Sequence, residues 1–161
     1  MAEITLRPIS PSDEEFLCGL YASTREEELE AVPWDAAQKA AFLQMQFAAQ
    51  SHHYHTHYPD SDFQIILADG AAVGRLYLHR GPTEFRIVDI ALLPEWRGQG
   101  IGSALMASVL AEADALGRSV TLYVEGYNRA SRLYERLGFV QGSLEGVYYF
   151  MERPPCPTAA S

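Results

Sequence analysis

The sequence predicts a mixed α/β fold: a central sheet of parallel and antiparallel strands with helices on both faces. Three observations predict it. Residues 85–117 read as a strand, a glycine-bearing turn and a helix, FRIVDIALLPEWRGQGIGSALMASVLAEADALG. A second strand follows that helix at 119–125, and a helical crossover makes the two strands parallel. The remaining strands come in consecutive pairs with short turns, which is the pattern of antiparallel hairpins.

In chain order, Glu3 to Ile9 alternates apolar and polar residues as a half-buried first strand. Ser10-Pro11-Ser12-Asp13 with Glu14 and Glu15 gives caps and then acids, a helix start. Phe16, Leu17, Leu20 and Tyr21 form the apolar face of that first helix. An acidic run, Glu26, Glu27, Glu28 and Glu30, reads as part of the connection to a second helix. Pro33-Trp34-Asp35 restarts the helix, with Asp35 as N-cap, and it runs from Ala36 to about His53. Four of the five histidines then crowd into residues 52–57. Phe63 to Asp69 and Val73 to His79 read as a hairpin around Gly70-Ala71-Ala72. Phe85 to Leu93 is apolar and β-branched, the mark of a largely buried strand. Ile101, Leu105, Val109 and Leu110 recur at helical spacing until Gly117. Ser119 to Glu125 is a strand, Asn128 caps a helix ending at Leu137-Gly138, and Val140–Leu144 with Val147–Glu152 form a last hairpin. The order is β-α-α-β-β-β-α-β-α-β-β, one domain over residues 1–153, followed by a Pro- and small-residue-rich flexible tail at 154–161.

The chemistry concentrates at Arg97-Gly98-Gln99-Gly100-Ile101-Gly102. A helix leaves its first N–H groups unpaired, and its dipole is positive there. Glycines at that point let a bulky phosphate approach those groups. The run therefore predicts a phosphate or pyrophosphate cradle. A P-loop is excluded, because no Lys-Ser or Lys-Thr follows the glycines. A dinucleotide fingerprint needs a third glycine where Ser103 stands, although Glu125 sits where a ribose-binding acid would be.

Arg97-x-x-Gly100-x-Gly102 after a strand resembles the acyl-CoA pyrophosphate loop of the GCN5-related N-acetyltransferase (GNAT) superfamily. Residues 119–140, SVTLYVEGYNRASRLYERLGFV, resemble that family's next strand, Asn-bearing turn and Leu-Tyr-Glu-x-Leu-Gly-Phe helix. The two motifs cover roughly residues 85–140, in the family's order.

The resemblance implies an N-acetyltransferase that uses acetyl-CoA as co-substrate and acetylates a primary amine by direct attack. It implies that Arg97, Gly98, Gln99, Gly100, Ile101, Gly102 and Ser103 hold the pyrophosphate. Backbone groups near Ala91 and Leu92 would hold the pantetheine, with Asn128 helping to position it. Asn128 stands one residue closer to Tyr134 than in the commoner family pattern. Tyr134 is implied as proton donor to the leaving sulfur; a phenol is protonated at neutral pH. For the base, the glutamate position used by some members falls here on Arg86, which cannot accept a proton. Another branch carries an acid where Asp89 stands, so Asp89 is the expected base, directly or through water; the alternative is a strand-surface acid paired with Arg75 or Arg86. Glu27, Glu28 and Glu30 are held in reserve. No cysteine sits in the loop or near Tyr134 to carry an acyl group.

Composition bounds the alternatives. The chain has 161 residues, 48% of them hydrophobic, enough for one real core. The formal net charge is −9 and the sequence pI about 4.9. That balance argues against a nucleic-acid partner and suits a cationic amine. No run reaches the ~18 apolar residues of a membrane span, and the N-terminus shows no signal region. Two cysteines, Cys18 and Cys156, make no disulfide framework, so the expected location is cytoplasmic. His53 and His57 share a helix face, but no nearby cysteine completes a zinc pattern and no metal is expected; a milder reading has Tyr54, His55 or Tyr58 edging the substrate pocket. The acceptor stays open between a small cationic amine, which the acidic residues favour, and a protein N-terminus. Dimers are common in the resembled family. Three other readings stay open: an acyl-CoA-binding module without catalysis, a dinucleotide-binding oxidoreductase, and a metal-binding or interaction protein using the histidine cluster.

Overall fold

The computed structural model describes residues 2–125 and 130–156. Its seven strands are β1 (Ile4–Pro8), β2 (Asp62–Ala68), β3 (Ala71–Arg80), β4 (Glu84–Leu92), β5 (Ser119–Glu125), β6 (Val140–Glu145) and β7 (Tyr148–Arg153). They form one mixed sheet in the order β1-β2-β3-β4-β5-β7-β6. The helices are α1 (Glu14–Ser23), α2 (Glu26–Glu30), α3 (Ala36–His57), α4 (Ile101–Ala115) and α5 (Ala130–Arg136). The mixed α/β architecture is the one expected from sequence. Two compact units divide the chain, Met1–Tyr77 with Asp89–Arg97 and Leu78–Val88 with Gly98–Ser161.

The first unit is built on the β1–β2 pair and the helices α1 and α3. β1 runs antiparallel to β2, Ile4 opposite Ala68 and Pro8 opposite Gln64. Its core gathers Leu17, Tyr21, Phe47 and Ile65, with Phe16, Leu43 and Leu67 packed around them. α3 starts as predicted: Asp35 accepts from the Gln38 N–H at 2.8 Å, and Gln38 returns a bond to the Asp35 N–H at 3.0 Å.

Three local expectations change here. The acidic run is not loop but the short helix α2, fixed by Leu29, its buried residue. Acidic side chains in the first turn suit the positive end of the helix. α3 continues one turn past His53 to His57, so the histidine cluster is helical. The β2–β3 turn is Asp69-Gly70, not Gly70-Ala71-Ala72, with φ of 48° and 84° at its two residues. Two left-handed residues match the twist of flanking strands, and Asp followed by Gly is the preferred pair. Asp69 also accepts from the Glu3 N–H at 2.8 Å, tying the turn to the chain just before β1.

Asp13, 5% exposed, is the first unit's one sharply perturbed acid. Arg7 grips it with two bonds, 2.8 and 2.7 Å, and the Ser10 N–H donates a third at 2.8 Å. These donors, Arg7 first, hold its carboxyl well below the usual carboxylate range despite the burial. The unfolded chain therefore binds a proton near pH 4 that the folded chain refuses. The stabilisation is complete above that pH and is lost as the medium acidifies toward the folded value. Asp13→Asn is expected to cost about 1–2 kcal/mol at pH 7, the exposed side of Arg7 screening part of the interaction. In thermal melts the gap to wild type should narrow below about pH 4. A gap independent of pH would refute this account.

The second unit centres on residues 84–88 of β4, on β5 and on α4. β4 runs parallel to β5, with Glu84, Phe85 and Arg86 opposite Ser119, Val120 and Thr121. That parallel pairing was expected from the helical crossover. β5 is paired from Val120 onward with antiparallel β7, from Val120–Arg153 to Glu125–Tyr148. Phe85, Met106, Ala113, Val120, Leu122 and Met151 are buried to 2% exposure or less. Arg153 reaches back to Asp114 at 2.5 and 3.1 Å, and the Cys156 N–H donates to the same carboxylate at 2.9 Å. The backbone is therefore anchored as far as Cys156; the expected tail beyond it lies outside the described residues.

Candidate active site

The strand β4 ends at Leu92, and Pro94–Trp96 makes one tight 3-10 turn before the glycines. Gly98 and Gly100 take φ of +73° and +84°, conformations that cost other L-residues about 1–2 kcal/mol. Gly100 is the N-cap of α4 and has no side chain to offer. The first helical bond runs from the Ala104 N–H to the Gly100 carbonyl at 3.0 Å. The N–H groups of Ile101, Gly102 and Ser103 thus have no partner within the helix. A Cβ placed at Gly98, Gly100 or Gly102 would meet no protein atom within 4 Å. Open space beside unpaired N–H groups at a helix start is what a pyrophosphate requires. The residues present fit that group.

Ala91 and Leu92 lie on the same side of the loop along the chain. Gly74 in the middle of β3 lets the two strands approach closely there. Its Cβ would collide with the Ala91 carbonyl oxygen and come within 2.8 Å of Leu92 Cδ2. The Val73 carbonyl accepts from the Leu93 N–H at 2.8 Å and secures that end of β4. Arg97 turns back and donates through Nε to the Leu92 carbonyl at 3.0 Å. Arg97 therefore braces the strand end as well as standing at the head of the cradle.

Asp89 meets Arg75, a candidate partner from sequence, and Tyr54, expected only at the pocket edge; Gln50, which joins them through Arg75, was not expected. Its Oδ2 accepts from Arg75 Nη2 at 2.6 Å and from the Tyr54 hydroxyl at 2.9 Å. Arg75 Nη2 also donates to Gln50 Oε1 at 2.8 Å. Arg75 is only 2% exposed, while the Asp89 side chain keeps 16% of its surface. Burial works against the Arg75 charge, but Asp89 beside it prevails and raises its pKa. Burial pushes the Tyr77 phenol up as well, partly offset by the Arg75 charge. The Arg75 guanidinium lies 4.9 Å from the Tyr77 ring centre. The signal for this cluster was in the sequence: one arginine inside the apolar run VGRLYLH of β3 needs a buried anion.

Tyr134 lies in α5, 9% exposed, with its ring edge-on to Phe139 at 5.7 Å. The Phe139 N–H donates to the Tyr134 carbonyl at 3.0 Å, which closes the helix end against β6. Asn128 lies outside the described residues. The histidines are spread around the end of α3. His53 and His57 stack at 4.2 Å, His55 stacks on Phe63 at 4.2 Å, and His57 Nδ1 bonds the His53 carbonyl at 3.0 Å. Among the described residues no three His, Cys, Asp or Glu side chains gather as a metal site requires. Nor is any helix among them long and apolar enough to cross a membrane.

Comparison with known proteins bears on the family and the fold. The family model described as an acetyltransferase (GNAT) domain matches residues 59–141. A mycothiol acetyltransferase of Nocardiopsis dassonvillei is 37% identical over 84 residues, which is 51% of this chain and 22% of that protein. The match therefore spans about a fifth of that relative's length. Among solved structures, PaiA N-acetyltransferase from Thermoplasma acidophilum in complex with coenzyme A superposes with a TM-score of 0.71 at 18% identity, over 94% of this chain and 99% of that one. Ard1 from Thermoplasma volcanium gives 0.61 at 25% identity, over 95% and 98%.

Proposed function

The chain belongs to the GNAT acetyltransferase family, and from that premise we propose that it transfers an acetyl group from acetyl-CoA to a primary amine. The observation that carries the reading is the cradle: two left-handed glycines, Gly98 and Gly100, before the uncapped start of α4, with open space at Gly102. Gln99, Ile101 and Ser103 supply further backbone around the same phosphates. Acetyl-CoA brings the activated thioester. The chain's own residues hold its pyrophosphate on α4, and its pantetheine arm on the backbone of Ala91 and Leu92 with help from Asn128.

In this reading the amine nitrogen attacks the thioester carbonyl carbon, the tetrahedral adduct collapses, and the carbon–sulfur bond breaks. Tyr134 gives its phenolic proton to the departing sulfur. Asp89 accepts the amine proton through Oδ1, directly or by way of one water. Among the described residues, the hydrogen bonds to the Asp89 carboxylate from Arg75 and Tyr54 both fall on Oδ2. The exposed glutamates of α2, Glu26, Glu27, Glu28 and Glu30, support a small cationic acceptor by long-range attraction. The two free cysteines, Cys18 half-buried and Cys156 exposed, support a reducing, cytoplasmic setting.

Calorimetric titration with acetyl-CoA, with NAD as control, tests the premise of the mechanism. Saturable binding of acetyl-CoA alone is expected, together with CoA release when a primary amine is added. Binding of acetyl-CoA without turnover of any amine would reduce the protein to an acyl-CoA-binding module. Binding of NAD instead would return the loop to the dinucleotide class.

A further inference from the structure

We infer that Tyr54 and Gln50 are positioning residues for acyl transfer, holding the Asp89–Arg75 pair so that Asp89 turns Oδ1 toward the amine. The inference rests on the reading of Asp89 as proton acceptor. Gln50 and Tyr54 lie four residues apart on α3 and so share one face of that helix. Gln50 Oε1 accepts from Arg75 at 2.8 Å, and the Tyr54 hydroxyl donates to Asp89 at 2.9 Å. The helix thus offers an acceptor to the cation and a donor to the anion. Exchanged, each would oppose its partner.

The consequence lies in the carboxylate torsion. An aspartate can exchange its two oxygens by rotation about a broad terminal torsion. Here two donors from different elements, α3 and β3, converge on Oδ2 at 2.9 and 2.6 Å. Rotation would break both bonds at once. Neither donor is loose. Arg75 is 2% exposed, and its Nε and Nη1 are buried without a hydrogen-bond partner. The Tyr54 ring stands edge-on to Tyr77 at 5.9 Å, and Tyr77 edge-on to Phe63 at 4.8 Å. A phenylalanine at 54 would keep that packing. The hydroxyl is the part that reaches Asp89.

Tyr54→Phe, Asp89→Asn and the double variant decide the matter. CoA thiol release from acetyl-CoA is measured with spermidine, glucosamine, lysine and an alanyl tetrapeptide as acceptors. Tyr54→Phe should lower kcat about tenfold, as a misaligned catalytic group does, leaving the Kd for acetyl-CoA and the melting temperature unchanged. In the Asp89→Asn background the same substitution should cost nothing more, because residues acting as a unit are not additive. Full kcat in Tyr54→Phe, or an undiminished effect in the double variant, would overturn the inference and leave acetyl transfer standing. Unchanged kcat in Asp89→Asn would remove the role of Asp89 and this inference with it. Failure of the wild type on all four acceptors would overturn the acetyl-transfer reading and, with it, the inference.

Discussion

Gly102→Val is expected to weaken acetyl-CoA binding by roughly 100-fold or more while the protein stays folded. Two lost charge-assisted hydrogen bonds at about 1.5–3 kcal/mol each account for that factor. The position separates binding from folding unusually well. Gly102 lies inside α4, its φ is not among the left-handed ones, and a Cβ there meets nothing within 4 Å. Gly102→Ala, the milder variant, should even raise stability by about 0.5–1 kcal/mol, as replacing a helical glycine generally does. Gly100→Val should also lose the ligand, but with a strain cost of about 1–2 kcal/mol, because its φ is +84°. Calorimetry reads the affinity and thermal melting reads the fold. Wild-type affinity in both valine variants would dismiss the phosphate cradle.

Tyr134→Phe is expected to reduce kcat by about 100-fold or more, within the range that positioned general acids contribute. Its affinity for acetyl-CoA should not change. The substitution removes one oxygen from a ring that stays packed against Phe139, so the end of α5 is preserved. A phenol is an available acid at neutral pH, whereas phenylalanine leaves the departing thiolate without a donor. If turnover survives intact, Tyr134 is a core tyrosine and the thiolate leaves unprotonated.

The readings from sequence held best where one local rule operated. The strand before the glycine loop and α4 after it could be placed to within one or two residues, because strand, turn and helix signals all fell on adjacent positions. Two details failed for lack of a local cue, and a third despite one. Glu26 to Glu30 looked like a charged connection, since one buried leucine is a faint apolar signal for a helix. The histidine cluster looked like a helix end, although the chain continues helically to His57. The β2–β3 turn was placed one residue late, although Asp69-Gly70 was visible as a turn dipeptide.

The site divides the same way. Arg97 to Ser103 and Tyr134 could be named from spacing and resemblance, since each belongs to a contiguous motif. Asp89 could be named, with Arg75 as a candidate partner; that Tyr54 and Gln50 complete its surroundings could not. Arg75 lies 14 positions before it and Tyr54 lies 35. No periodicity links a residue of α3 to residues of β3 and β4. By itself the sequence determined the mixed α/β class and the glycine-bearing turn, because these rest on backbone geometry and hydrophobic period, which neighbouring residues dictate; the family came from the resemblance of two contiguous motifs. Only the tertiary structure decided that Gln50, Tyr54, Arg75 and Asp89 form one hydrogen-bonded unit. A buried charge takes whichever partner the packing of separate elements brings within reach, and the chain order does not specify that choice.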